Sequence, residues 1–291
     1  MKNIIIFMQN RNFFGAQIVH IPLIKQLKED YPQSKIILFS KNKITNLLLN
    51  LGLVQEVYIE KSKLSSLSYY LSCKADITIS LRKKSFFINL YISCLNHEEK
   101  IGFSTYLSKL FFTKTKDYNS TIYRANNYLN LIDKKLEHKQ HQSIKQISII
   151  PGAGGDWKMW NINNYIKLSQ ALRILYPNYT INFILGKKES EFKEKIPNEF
   201  TISYDLEINK LFKTIKQSKL VIANDCGPSH IALISNIPTI ILYSDELGDA
   251  SLVKKEWFNN NNSNIAIIGL AHKPIDSIAV DDVLKYIQLD K

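Results

Sequence analysis

Residues 220–244 read LVIANDCGPSHIALISNIPTIILYS, and this stretch decides the fold. Leu220, Val221, Ile222 and Ala223 form an apolar run of the kind a strand makes when both of its faces are covered. The polar turn Asn224-Asp225-Cys226-Gly227 follows, and Pro228 then opens a helix. Proline is tolerated in a first helical turn because its missing N–H would have no intrahelical partner there. Pro238 stops that helix, and 239–243 is a second apolar strand. A strand, a glycine turn and a helix start place backbone N–H groups and the positive end of the helix dipole at the strand's carboxyl edge. Such an edge suits a diphosphate. Ser229 and His230 are expected to add side-chain donors, beside Asp225, Cys226 and Gly227.

Outward from this segment, short apolar runs alternate with amphipathic stretches, which is the βαβ pattern of parallel sheets. In the first half the expected strands are 3–8, 35–40, 54–59, 76–80 and 100–103, with a helix over 16–30 that Pro22 should kink or restart. In the second half strands are expected at 146–150, 180–185, near 201 and at 264–269. Helices are expected at 162–175, 188–195, 208–218 and 276–289. Residues 133–145 (DKKLEHKQHQSIK) are polar and nearly free of core side chains, so the chain divides into domains 1–140 and 141–291. The expected class is α/β, two Rossmann-like domains facing a cleft, because ligands bind at strand carboxyl ends.

A second motif sits at the start of the second half. After the strand at 146–150 comes Pro151-Gly152-Ala153-Gly154, then Lys158-Met159-Trp160. Glycines let the backbone approach phosphate, and the lysine supplies a point charge. Beyond 180–185, Gly186 begins a loop with Glu189 and Glu191, either of which offers a carboxylate to ribose hydroxyls. A charged helix face explains both equally well.

Together these motifs resemble glycosyltransferase family 9, the heptosyltransferases of lipopolysaccharide core assembly. The family's Asp-small-Gly-x-x-His run is present as Asp225, Cys226, Gly227 and His230, and its Pro-Gly…Lys-x-Trp segment as Pro151, Gly152, Lys158 and Trp160. Weaker matches in the first half are Gly15 with Pro22, Asp76 to Leu81 with Ser85, Lys100 to Phe103, and Tyr123-Arg124 before Asn127. The resemblance implies a GT-B fold with the acceptor domain first and the nucleotide-sugar domain second. It also implies inverting, metal-independent transfer from ADP-heptose to the lipopolysaccharide inner core, with no cofactor. Gly152, Ala153, Gly154, Lys158, Glu189, Asp225, Cys226, Gly227, Ser229 and His230 are then the donor-site residues. On the acceptor side the resemblance points to Gly15, and the basic run Arg82-Lys83-Lys84 after a strand end suits acceptor phosphates and a solvated charge run equally well.

One departure matters. The family's aspartate after the first glycine, its expected catalytic base, corresponds to Ala16, which cannot take a proton. His20, one helical turn on, is the candidate substitute, since an imidazole suits general-base work. Its plain alternative is a packed helix histidine. Two other readings stay open: a different nucleotide sugar or acceptor, and a homologue that binds nucleotide or glycan without turnover.

Composition narrows the rest. A 45% hydrophobic and 22% charged chain of 291 residues is that of a globular protein. The three cysteines contain no C-x-x-C pair, so neither a disulfide framework nor a zinc site is indicated, and a reducing cytosol fits. The opening MKNIIIFM reads as a core strand and not a leader, and no apolar run reaches bilayer length. The net charge of +12 favours anionic partners such as a phosphorylated glycolipid or an acidic membrane surface, and the resemblance implies peripheral contact with the cytoplasmic face of the inner membrane. The basic residues form no stripe with interleaved aromatics, so nucleic acid is not expected as a partner. Residues 106–116 (YLSKLFFTKTK) mix aromatics and lysines, as an acceptor-side flap, a membrane contact or a packed helix would.

Overall fold

A computed structural model describes residues 2–83, 85–93, 98–137 and 143–290. The chain forms two compact units, 1–137 and 138–291. The boundary expected between 140 and 141 lies outside the described residues.

Unit 1 runs β1 (Asn3–Phe7), α1 (Phe14–Ile18), α2 (Ile21–Asp30), β2 (Lys35–Ser40), α3 (Asn46–Asn50), β3 (Glu56–Ile59) and α4 (Lys63–Ser72). It continues with β4 (Ile77–Ser80), α5 (Phe86–Ser93), β5 (Glu99–Phe103), α6 (Ser108–Phe111), β6 (Lys114–Lys116) and α7 (Arg124–Asn130). Unit 2 runs β7 (Gln146–Ile150), α8 (Ile162–Leu175), β8 (Thr180–Leu185), β9 (Thr201–Tyr204), α9 (Ile208–Lys216) and β10 (Leu220–Asn224). It ends with α10 (Gly227–Ile234), β11 (Thr239–Tyr243), α11 (Ala250–Trp257), β12 (Asn264–Ile268) and α12 (Val280–Leu284).

Each unit is one six-stranded sheet, ordered β3-β2-β1-β4-β5-β6 and β12-β11-β10-β7-β8-β9, and all pairings are parallel. Relabelled within its own unit, the second order is the first one read backwards, so both are the doubly wound arrangement. The expected α/β class with two Rossmann-like units is what the chain adopts. In each sheet the first and fourth strands lie side by side, where the order reverses. In unit 2 those neighbours are β7 and β10, and this places the loops after Ile150 and Asn224 next to each other. The inner strands β1, β2, β4, β10 and β11 are buried on both faces, which is why most of them read as runs rich in Ile, Val and Leu. Ile5, Phe7, Ile37, Phe39, Tyr70 and Ile92 belong to the unit 1 core, and Ile149, Trp160, Tyr165, Phe183 and Ile222 to that of unit 2.

Several expected elements change form for local reasons. The helix expected over 16–30 is two: α1 ends at Ile18, and α2 restarts with Pro22 in its first turn. The stretch 188–195 is mostly 3-10 helix. Glu189 leaves helical geometry (φ −94°, ψ 18°), and its carboxylate turns back to accept from Gly186 N–H at 2.9 Å. The closing helix expected over 276–289 shortens to a 3-10 turn, Ile275–Ser277, and α12. Ile278 and Ala279 stay extended between them, because the buried Trp160 indole donates to the Ile278 carbonyl at 3.0 Å.

Candidate functional site

The site in unit 2 is built where β7 and β10 end side by side. Asn224, the last residue of β10, is fully buried and links the two loops. Its Nδ2 donates to the Pro151 carbonyl at 2.6 Å. Its Oδ1 accepts from Trp160 N–H at 3.2 Å and from the Tyr165 hydroxyl at 2.9 Å. Trp160 is edge-on to Tyr165, with ring centroids 4.9 Å apart. With its two ends fixed in this way, the loop presents Gly152, Ala153 and Gly154 partly or fully to solvent and carries Lys158 at the end of a 3-10 turn, Asp156–Lys158.

Lys158 reaches across to the β10 loop. Its Nζ lies 2.7 Å from Asp225 Oδ2, in a half-buried ion pair. Next along the chain, Cys226 caps α10. The buried Cys226 thiol accepts from the Ser229 amide, and Ser229 Oγ donates to the Cys226 carbonyl at 2.7 Å. Burial pushes the thiol's pKa up to about 12, so it caps as a neutral group. This corrects the expectation that Ser229 supplies a side-chain donor to a ligand: its hydroxyl is buried and committed to the cap. Pro228 has no N–H, and the Ser229 amide is taken. The first-turn donor left at this helix start is the partly exposed Gly227 amide, which no carbonyl of the helix can pair. His230 is buried and packs beside Trp257, with ring centroids 5.5 Å apart, so it supports the helix instead of projecting from its start.

The third loop, after β8, brings in Glu189, which is buried while Glu191 is exposed. A Cβ built on Gly152 would lie 2.6 Å from Glu189 Oε1 and 2.7 Å from Cδ. The carboxylate therefore packs directly on the Gly152 backbone, and any side chain at 152 would have to displace it. Residues 151–158, 186–189 and 225–227 thus meet at one sheet edge, with the ammonium, the free helix-start amide and a buried carboxylate in fixed places.

The unit 1 candidates behave differently. Gly15 and Ala16 are buried in α1. His20 is 1% exposed, stacks on Tyr128 with centroids 4.7 Å apart and planes 10° from parallel, and has no hydrogen-bond partner at either ring nitrogen. Burial, with a smaller push from the Arg124 guanidinium, lowers its pKa to about 3, against a weak opposing pull from the Gln17 and Ala16 backbone. So enclosed, and so poor a proton acceptor, His20 does not fit the substitute base expected from its spacing. Arg82 is also committed. Its Nε donates to the Met8 carbonyl at 2.8 Å, and both terminal nitrogens bind the Glu60 carboxylate. Arg82 thus holds Glu60 as its partner, as Lys158 holds Asp225. Lys83 lies over the Tyr118 ring, 2.9 Å from its centroid, and Lys84 is outside the described residues.

The residue that sequence reasoning missed is Asn224. The one signal available was an amide closing an otherwise apolar strand. Among the described residues, no three His, Cys, Asp or Glu side chains converge to hold a metal ion.

Two doubly wound units, the second with a loop-built site at its sheet's switch point, are the arrangement of the GT-B fold. The sequence model of glycosyltransferase family 9 (heptosyltransferase) matches residues 99–252, more than half of the chain, and the chain belongs to that family. Among solved structures, a family 9 glycosyl transferase from Veillonella parvula is similar at a TM-score of 0.70 and 17% identity, covering 98% of this chain and 95% of that one. Escherichia coli ADP-heptose LPS heptosyltransferase II is similar at 0.67 and 16% identity, with 98% and 97% covered. E. coli heptosyltransferase WaaC, solved with ADP, is similar at 0.70 and 12% identity, with 98% of each chain covered. No curated protein matches in the sequence search.

Proposed function

We propose that this protein is an inverting transferase that moves heptose from ADP-heptose to the inner core of lipopolysaccharide, at the cytoplasmic face of the inner membrane. The observation that carries the donor half is the meeting of Lys158, Asp225 and the α10 start where β7 and β10 end. The diphosphate lies at the Gly227 amide, where the helix dipole favours negative charge. Lys158 exchanges its Asp225 partner for a phosphate oxygen as charge builds on the leaving group, a stabilisation realised mainly in the transition state. Glu189 accepts ribose hydroxyls, and Gly152, Ala153 and Gly154 allow close approach of the backbone. The bond from the anomeric carbon to the diphosphate oxygen breaks while an acceptor hydroxyl bonds from the opposite face. ADP carries away the electron pair, and the hydroxyl proton passes to a base. Two E. coli relatives of this fold are named for ADP-heptose or solved with ADP, which supports the choice of donor. The reading assigns the acceptor to unit 1, where the excess of basic residues suits an anionic glycolipid.

The test is transfer and binding measured across nucleotide sugars. ADP-heptose is expected to be preferred, and preference for a UDP- or GDP-sugar would overturn the donor assignment. A second reading, binding without turnover, draws on the buried alanine at position 16 and the enclosed His20. Tight binding of ADP-heptose with no sugar reaching any lipopolysaccharide acceptor would establish it instead.

A further inference from the structure

The proposed transfer needs a group that takes the acceptor's hydroxyl proton, and neither Ala16 nor the enclosed His20 supplies one. Unit 1 has a switch point of its own, where β1 and β4 lie side by side, and ligands of doubly wound sheets bind at the carboxyl ends of such strands. Two acidic residues of unit 1 come directly after a strand: Glu60 after β3 and Asp117 after β6. Asp117 follows the edge strand on the far side of β4 and β5. Glu60 also follows an edge strand, but a series of contacts ties it to the switch point. Its amide donates to the Ser40 carbonyl at 2.8 Å, which holds it at the end of β2. Arg82, two residues past β4, donates through Nε to the carbonyl of Met8, the residue after β1. Its guanidinium carbon lies 5.8 Å from the centroid of the Phe7 ring, and its two terminal nitrogens bind the two oxygens of Glu60. The carboxylate is thus fastened to the group that sits on the ends of β1 and β4.

The details suit a proton acceptor. A planar two-point contact fixes the direction of the carboxylate. Its oxygens are held unequally: Nη2 lies close on Oε2, whereas Nη1 is 3.2 Å from Oε1. A carboxylate oxygen can accept twice, so Oε1 has capacity for an incoming hydroxyl. The Glu60 side chain is 8% exposed, so little water competes for it. A buried ion pair is often no more stabilising than apolar residues of the same volume, and its place at a ligand-binding edge points to use in the site. We infer that Glu60 is the catalytic base, with Arg82 as its positioning residue. The acceptor O–H bond breaks and its proton passes to Glu60 Oε1. The freed oxygen pair bonds to the anomeric carbon, and the bond from that carbon to the diphosphate breaks with its electron pair leaving on ADP. The neutral carboxyl then returns its proton to water. The inference rests on the transfer reading and names the base which that reading leaves open.

Transfer from ADP-heptose to lipopolysaccharide inner core lacking heptose tests this, with ADP affinity by calorimetry and folding by circular dichroism on the same samples. Glu60→Ala and Glu60→Gln should lose roughly 100- to 10,000-fold in kcat, the usual share of a general base, with ADP affinity unchanged. Formate should restore the alanine variant by about tenfold or more, because Arg82 can hold a small carboxylate in the vacated space. It should leave the glutamine variant as it is, since the amide fills that space. Glu60→Asp keeps the charge beside Arg82, and so the fold, but withdraws the oxygen by one methylene, and should still lose about tenfold in kcat. Asp117→Asn should transfer at the wild-type rate. A glutamine or aspartate variant as fast as wild type, a loss that formate does not restore, or a loss in Asp117→Asn instead overturns the inference. Wild-type protein that binds ADP and transfers nothing overturns it too and leaves the donor site standing. Wild-type protein that binds no ADP removes the donor reading, and this inference with it.

Discussion

Asn224→Ala is the sharpest probe of how the site is held. The side chain makes three buried hydrogen bonds, to Pro151, Trp160 and Tyr165, and each joins β10 to the segment after β7. Truncation leaves the Trp160 amide, the Tyr165 hydroxyl and the Pro151 carbonyl short of a partner in a dry interior. At about 1 kcal/mol for each of the three buried bonds, the loss is about 3 kcal/mol before any desolvation penalty for the groups left unsatisfied. All three tryptophans, Trp157, Trp160 and Trp257, lie in unit 2, so urea unfolding followed by tryptophan fluorescence reports on that unit. ADP affinity should fall as well, because the loop carrying Lys158 loses its anchor. A stability change under about 0.5 kcal/mol would mean that the three bonds hold nothing together.

Further expectations concern individual groups. Lys158→Ala removes the ammonium paired with Asp225 beside the helix start and should weaken ADP binding roughly 10- to 100-fold by calorimetry, the range of a charge-assisted hydrogen bond. Asp225→Asn frees that ammonium and removes a nearby negative charge, so ADP alone should bind about fivefold more tightly. Gly152→Ala drives a methyl into the Glu189 carboxylate, and should cost about 1–3 kcal/mol of unit 2 stability and reduce nucleotide affinity. His20 stays neutral in the fold down to about pH 3, whereas unfolded chains take up its proton near pH 6.5. The unfolded state therefore binds more protons between those values, and stability is full above pH 6.5 and lost as pH falls, by about 1.4 kcal/mol per pH unit. His20→Leu should flatten that part of the stability–pH curve, as followed by circular dichroism.

The fold was legible because parallel strands covered on both faces must be unbroken apolar runs. Ile4 to Phe7, Ile36 to Phe39 and Leu220 to Ala223 announce themselves in that way. Strand β6 did not, because its Lys-Thr-Lys is a three-residue edge with no apolar pattern to find. The donor site was legible at the level of the backbone, since a glycine turn followed by proline fixes a helix start. Which side chains remain available there depended on tertiary partners. Ser229 turns into its own cap, and Lys158 meets a residue 67 positions away. The spacing of His20 suits a base or a core residue equally well, and the stacking partner that decides, Tyr128, comes from α7. Arg82 read as a free cation because Glu60, which neutralises it, follows a different strand.

The proposed function requires a nucleotide diphosphate where β7 and β10 end. A crystal structure with ADP tests this most directly. It should show phosphate oxygens within hydrogen-bond distance of Lys158 Nζ and the Gly227 amide, with Lys158 withdrawn from Asp225. ADP bound elsewhere, with the Lys158–Asp225 pair still closed, would contradict it.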